Sequence, residues 1–194
     1  MKAIGLYKYL PADHPESLLD LQLEKPSPSG RDILVNVKAV SVNPVDTKVR
    51  SPKDKTETEP RILGWDAAGT VVETGPDCTL FQPGDEVYYA GSIIRQGANS
   101  EFHLVDERIV GKKPASLDFA EAAALPLTAI TAWEALFDRL GIDMDHTDNK
   151  KKSILIIGAA GGVGSIAVQL AKVAGLTVIG RHRLTPGISR MGKK

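Results

Sequence analysis

Apolar and polar positions follow one rhythm over roughly the first 110 residues of the chain and another after it. Asp32-Ile33-Leu34-Val35-Asn36-Val37-Lys38-Ala39-Val40 alternates apolar with polar over several positions, the period of a half-buried strand. Met1 to Tyr7 reads as a short strand. Thr70 to Thr74 is β-branched and stops at the turn pair Gly75-Pro76. Phe81-Gln82-Pro83-Gly84-Asp85 is a second turn, starting a strand over Glu86 to Ala90, and Glu101 to Val105 reads as one more. Many short strands broken by Gly and Pro predict a partly closed all-β barrel. Ser51 to Pro60 is charged and poor in apolar residues, which predicts a mobile surface loop.

The rhythm changes near Pro114. Ser116 is placed to cap a helix over Leu117 to Leu125, with Asp118 and Glu121 favourable in its first turns. A longer helix is expected from Leu127 to Leu140, ended by Gly141. Trp133, Leu136, Phe137 and Leu140 fall near helical spacing, and Trp133 is assigned to the core. Asp143 to Lys152 is polar and reads as a solvated loop. No internal repeat is visible.

Ile154-Leu155-Ile156-Ile157 then reads as a buried parallel strand. The run Gly158-Ala159-Ala160-Gly161-Gly162-Val163-Gly164 follows, and Ser165 to Ala174 reads as an amphipathic helix ending at Gly175. Strand, glycine-rich turn and helix in this order form the fingerprint of a dinucleotide-binding βαβ unit. Backbone N–H groups can approach a pyrophosphate at a helix N-terminus, where the helix dipole favours negative charge. Gly161 removes a side chain where phosphates would pass, and Gly164 permits close helix–strand packing. The same residues also suit a tight strand-to-helix turn with no ligand. The next strand, Leu176 to Gly180, carries no acidic residue where an NAD-binding protein often has one; Arg181 and Arg183 stand there instead. They fit a 2′-phosphate, hence NADPH, or else a basic solvated tail.

Composition narrows the class. The 194 residues are 42% hydrophobic, enough for a core, and formal charge is zero from 24 basic and 24 acidic residues. No electrostatic footprint for nucleic acid or an anionic membrane results. Cys78 is the only cysteine, which excludes an internal disulfide and a cysteine-rich zinc site. No apolar run is long enough to span a bilayer, and no signal peptide is read at the start, so a cytoplasmic protein is expected.

Five segments carry a resemblance: Asn43-Pro44-Val45-Asp46, Gly64-Trp65-Asp66-Ala67-Ala68-Gly69, Phe81 to Val87, Leu125-Pro126-Leu127-Thr128-Ala129 and the 158–164 loop. In this order and spacing the chain resembles the medium-chain dehydrogenase/reductase superfamily, in its zinc-type alcohol dehydrogenase-like quinone oxidoreductase branch, over about residues 1 to 180. The resemblance implies an α/β plus all-β chain: a GroES-like catalytic domain over 1–115, then the first βαβ unit of an incomplete Rossmann domain over 116–180. In that family the chain later returns to complete the barrel, and nothing in the sequence corresponds to the return. It implies NADPH as cofactor, a quinone or α,β-unsaturated carbonyl as substrate, and homo-oligomers among full-length relatives. Asn43 is placed beside the nicotinamide, with Asp46 in the same turn; both also suit a plain turn. Thr128 and Thr131 belong to a segment that approaches the cofactor in relatives, or cap and back-bond their helix. Ala159 stands where the usual first glycine would be, and the loop residues Gly158 to Gly164 are the expected phosphate cradle.

Zinc-dependent relatives place a Cys near position 43 and a His before a Glu where this chain has Trp65-Asp66. His14, His103, His146 and His182 lack ligand spacing, so zinc binding is not expected and Asp66 is assigned to a turn. Residues 181–194 are basic and lose the family pattern, which predicts an aberrant tail. Degenerate codons for it, read in a shifted frame, give a segment resembling what relatives carry, so a frameshifted, C-terminally truncated reductase is expected, with weak cofactor binding. The competing expectation is a non-catalytic barrel that binds a partner chain through an unpaired strand edge.

Overall fold

The computed structural model describes residues 1–181; His182, Arg183 and the rest of the expected aberrant tail lie outside them. The chain forms two compact units, Met1–Leu127 and a second beginning at Thr128.

The first unit holds two antiparallel sheets. Strands β1 (Lys2–Tyr9), β2 (Leu19–Gln22) and β4 (Lys53–Ile62) form one in the order β2-β1-β4. Strands β3 (Asp32–Ser41), β5 (Asp66–Thr74), β6 (Glu86–Ala90), β7 (Phe102–Asp106) and β8 (Val110–Lys112) form the other in the order β7-β3-β5-β6-β8. The segment leading into β7, held to β3 by the Val37 N–H donating to the Glu101 carbonyl at 3.0 Å, stitches the sheets through an Ala3–Ser100 bridge and the Glu101 N–H donating to the Lys2 carbonyl at 3.0 Å. The two sheets keep open edges and do not close into a barrel. The alternation read in the sequence places Ile33, Val35, Val71, Val87, Tyr89 and Val105 in one core.

Three expectations fail here for local reasons. Ser51 to Pro60 is not a loop throughout, since β4 begins at Lys53 and pairs with β1. Its charged residues suit an edge strand, and the Glu57 carboxylate accepts from the Tyr9 hydroxyl while the Lys53 ammonium lies 3.9 Å from the Tyr9 ring centroid. Ser116 does not cap a helix. Helix α2 (Phe119–Ala123) starts later, because Asp118 accepts the Glu121 N–H at 2.8 Å while Glu121 accepts the Asp118 N–H at 3.0 Å, a reciprocal capping box. Trp133 is not core: it is 46% exposed and packs at a tilt against Phe137, 4.5 Å between centroids.

The second unit begins within helix α3 (Pro126–Trp133), which widens into a π-helical turn over Glu134–Arg139 and ends where Gly141 takes φ +64°. The stretch expected as a solvated loop contains a short 3₁₀ helix, Thr147–Lys151, whose Asn149 is buried. Strand β9 (Ser153–Ile157), helix α4 (Gly162–Val173) and strand β10 (Thr177–Arg181) form a βαβ unit with parallel pairing from Thr177–Ser153 to Arg181–Ile157. Ile154, Ile156 and Val178 pack with Ala167, Ala171 and Leu136. Leu155, Ile157 and Ile179, on the other face, are exposed. A parallel sheet is normally covered on both faces, and here, among the described residues, one face lies open.

Candidate functional site

In the second unit the glycine run turns β9 into α4. Gly158 takes φ +77°, a region that side chains disfavour. The Gly158 and Ala159 N–H groups both donate to the Arg181 carbonyl, at 2.9 and 3.2 Å, and the Gly161 N–H donates to the Gly158 carbonyl at 2.9 Å. Those three amides are therefore spent on the turn itself. Gly161 is the N-cap of α4 and has no side chain to cap it. The N–H groups of Gly162, Val163 and Gly164 open the helix with no side-chain cap, and Gly158 and Ala160 to Val163 are exposed. A twelve-residue helix whose first amides face solvent is an anion-binding geometry.

Two contacts hold the loop in this shape. A Cβ on Gly164 would stand 2.2 Å from the Gly158 carbonyl oxygen, so the strand–helix crossing requires glycine there. A Cβ on Gly162 would stand 3.0 Å from Cγ2 of Thr128, which places that threonine against the first turn of α4. Arg181, exposed at the end of β10, is fixed to the loop through its own carbonyl. A cleft of about 510 Å³ runs past Ala132, Leu136, Ile157, Gly158 and residues 161 to 164. Thr128, the loop and Arg181 are thus one cluster.

In the first unit Asn43, Asp46 and Asp66 form a second cluster. Helix α1 (Pro44–Arg50) follows Asn43, with proline preset for a first helical turn. The Asn43 N–H donates to Asp46 Oδ2 at 2.6 Å, and the Asp46 N–H donates to the Asn43 carbonyl at 3.0 Å. Asp66, 1% exposed at the head of β5, accepts from Asn43 Nδ2 at 2.8 Å, Ser41 Oγ at 3.2 Å and the Leu127 N–H at 2.8 Å. Burial pushes its carboxyl up, the three donors pull it down, and the Asp46 charge pushes it up further; the net direction is up. Asp66 is therefore not a turn former but a buried junction of β3, the Asn43 turn and the start of α3. Sequence reading missed this because its partners lie 23 to 61 residues away. Asp46 Oδ1 and the Trp65 indole N–H are buried without a partner among the described residues.

The residues at the positions of zinc ligands do not suit the metal. Asn43 commits its amide nitrogen to Asp66, and Trp65 has no ligating lone pair. His103 donates from or accepts at both ring nitrogens, to the Gln96 carbonyl and the Tyr89 hydroxyl; His14 and His146 each accept a backbone N–H. Among the described residues no three His, Cys, Asp or Glu side chains are grouped to hold a metal. Likewise, no helix among the described residues is long and apolar enough to cross a membrane.

Comparison with known proteins places the chain in a family. Residues 29–125 match the alcohol dehydrogenase GroES-like domain. The chain is 49% identical to a zinc-type alcohol dehydrogenase-like protein of Staphylococcus aureus, covering 99% of this chain and 58% of the relative, so the match runs past Gly180. It is 61% identical, with a TM-score of 0.85, to the crystal structure of a protein from Rhizobium etli assigned as a zinc-dependent alcohol dehydrogenase, covering 93% of this chain and 52% of that one. The quinone oxidoreductase from Coxiella burnetii is 30% identical with a TM-score of 0.76, over 93% and 56%. A mycobacterial protein solved with NADPH is 28% identical with a TM-score of 0.75, over 93% and 52%. The chain thus spans between half and three fifths of the length of these relatives. It belongs to the medium-chain dehydrogenase/reductase superfamily, among the zinc-type alcohol dehydrogenase-like proteins related to quinone oxidoreductases, with a GroES-like domain and part of a Rossmann-like one.

Proposed function

We propose that the chain carries the pyrophosphate cradle and the nicotinamide-side turn of an NADPH-dependent reductase acting on a quinone or an α,β-unsaturated carbonyl. The observation that carries this reading is the uncapped, exposed first turn of α4 behind a glycine run. Bound NADPH supplies the hydride, and the protein's part is position and water exclusion. The amides of Gly162, Val163 and Gly164 hold the pyrophosphate, with Thr128 beside them. The Arg181 guanidinium is the group for a 2′-phosphate, supported by its attachment to the loop and by the absence of an acidic residue at the end of β10. Asn43 orients the nicotinamide or substrate by hydrogen bonds, and Asp46 fixes the turn that carries it. The proton that completes the reduction comes from solvent or a nearby hydroxyl. The same reading sets the protein in the cytoplasm and takes the full-length form to be a homo-oligomer.

The open face of Leu155, Ile157 and Ile179 argues for weak cofactor affinity in this chain, because the sheet that should stiffen the cradle is covered on one side only. Titrating purified chain with NADPH by fluorescence, then adding a quinone, tests the reading. Weak saturable binding with slow quinone-dependent oxidation supports it; a folded chain with no saturable binding refutes it. A second reading, a non-catalytic module that accepts a strand from a partner, is favoured by one feature. Strand β7 pairs with β3 only from Asp32 to Asn36, and Lys38 to Val40 beyond it line a groove of about 870 Å³. Pull-down of a partner chain without any oxidoreductase activity would favour that reading.

A further inference from the structure

Asp66 is an unusual choice for a buried junction. Its side chain is withdrawn from water, and the groups within hydrogen-bond reach are neutral: an amide, a hydroxyl and a backbone N–H. The carboxylate of Asp46 lies near enough to repel it. A charge so placed is costly unless its hydrogen bonds compensate, and an apolar or amide side chain would fill the same space at lower cost. What a carboxylate does that those groups cannot is accept from three directions and donate to none.

That one-way chemistry acts on Asn43. A side-chain amide has a donating end and an accepting end, and packing alone distinguishes them poorly. Facing an ionised carboxylate at 2.8 Å, the Asn43 amide must present nitrogen to Asp66, which sets its flip. The backbone of the turn is fixed separately by Asp46 through the Asn43 N–H, so Asp66 governs the side chain and Asp46 the main chain. The other Asp66 oxygen takes the Leu127 N–H, one residue before Thr128. Both anchor points therefore belong to segments that the functional reading assigns to cofactor contact.

We propose that Asp66 is a positioning residue: through Oδ2 it locks the orientation of the Asn43 amide, and through Oδ1 it fixes the start of α3. This inference rests on the reading of Asn43 as the group beside the nicotinamide. It adds that Asn43 works only in the orientation Asp66 imposes.

Two measurements separate the inference from the reading beneath it. The first needs no turnover. In the intact 15N-labelled chain, the Asn43 side-chain N–H signals should exchange with water about tenfold more slowly than those of exposed asparagines. In Asp66→Asn, which keeps the shape of the site, that protection should fall and the Leu127 amide signal should move. Unchanged Asn43 protection in folded Asp66→Asn, or unprotected signals in the unsubstituted chain, overturns the proposal; the latter measurement decides it even where the variant does not fold. The second is a double-mutant cycle on NADPH-dependent quinone reduction. Asp66→Asn should lower kcat about tenfold with KM for NADPH within about twofold, and should cost nothing further in an Asn43→Ala background. Full additivity overturns the positioning role. If the unsubstituted chain binds no NADPH while Asn43 is protected as described, the functional reading fails and the Asp66–Asn43 lock stands.

Discussion

Gly164 and Gly158 are packed so closely that a Cβ on the first would stand 2.2 Å from the carbonyl oxygen of the second. The contact is backbone against backbone, so no side chain can swing aside. Gly164→Ala should therefore separate β9 from α4, destabilising the second unit by about 3 kcal/mol, at the upper end of ordinary overpacking. Thermal unfolding followed by circular dichroism checks this. An alanine variant with an unchanged midpoint would show that the crossing has slack.

In the first unit, pH acts through His103. Its Nε2–H donates to the Gln96 carbonyl at 3.0 Å, leaving Nδ1 to accept the Tyr89 hydroxyl at 2.9 Å, so the ring is neutral as bonded. Burial drives its pKa down to about 4, and the Arg95 charge adds to the effect against the pull of the Gln96 carbonyl and Asp32. The unfolded chain takes up a proton near 6.5, well before the folded one does. Stability from this group is thus full above about 6.5 and is lost as pH falls toward 4, by roughly 3 kcal/mol in total. Urea unfolding across that window should show the fall, and His103→Gln should flatten it.

Asn149 is a staple between two segments. Its Nδ2 donates to the Asp143 carbonyl at 2.6 Å and to the Ala174 carbonyl at 2.9 Å, tying the connection before β9 to the end of α4. Asn149→Ala leaves both carbonyls without this partner and should cost about 2 kcal/mol. A change below about 0.5 kcal/mol in chemical denaturation would mean that water replaces the amide without penalty.

Exposed Leu155, Ile157 and Ile179 form an apolar face on the two-stranded sheet. Replacing Leu155 and Ile179 together by threonine, which suits strands, should reduce self-association without lowering the unfolding midpoint. Light scattering at increasing concentration reads this. Undiminished association would place the sticky surface elsewhere.

How much of this was legible in the sequence depends on the distance over which each feature is built. The βαβ unit was visible because strand, glycine run and helix are contiguous: Gly158 is required by its own positive φ and Gly164 by its contact with Gly158, six residues away. Strands β3 and β6 were visible through alternation and flanking turns. Strand β4 was not, because its residues are charged and its place is granted by β1, more than 40 residues earlier. Trp133 followed helical spacing yet lies exposed, since periodicity shows which residues share a face but not whether anything covers it. Asp66 was misread for the same reason as β4: its meaning comes from Ser41, Asn43 and Leu127, which only the fold assembles.

The most direct measurement compares NADPH binding to the unsubstituted chain and to Gly161→Asp by fluorescence titration. Gly161 has φ −80° and ψ 170°, which suit aspartate as an ordinary N-cap; a Cβ there would lie 3.3 Å from the Gly158 carbonyl oxygen, a tight contact that a small shift of the exposed loop relieves, so stability should change by only about a few tenths of a kcal/mol. Its carboxylate would occupy the amides of α4 and repel a pyrophosphate. Saturable binding to the unsubstituted chain, abolished in an equally stable Gly161→Asp, is the predicted result. Equal binding by both proteins would contradict it, because the dinucleotide would then be held somewhere other than the opening turn of α4.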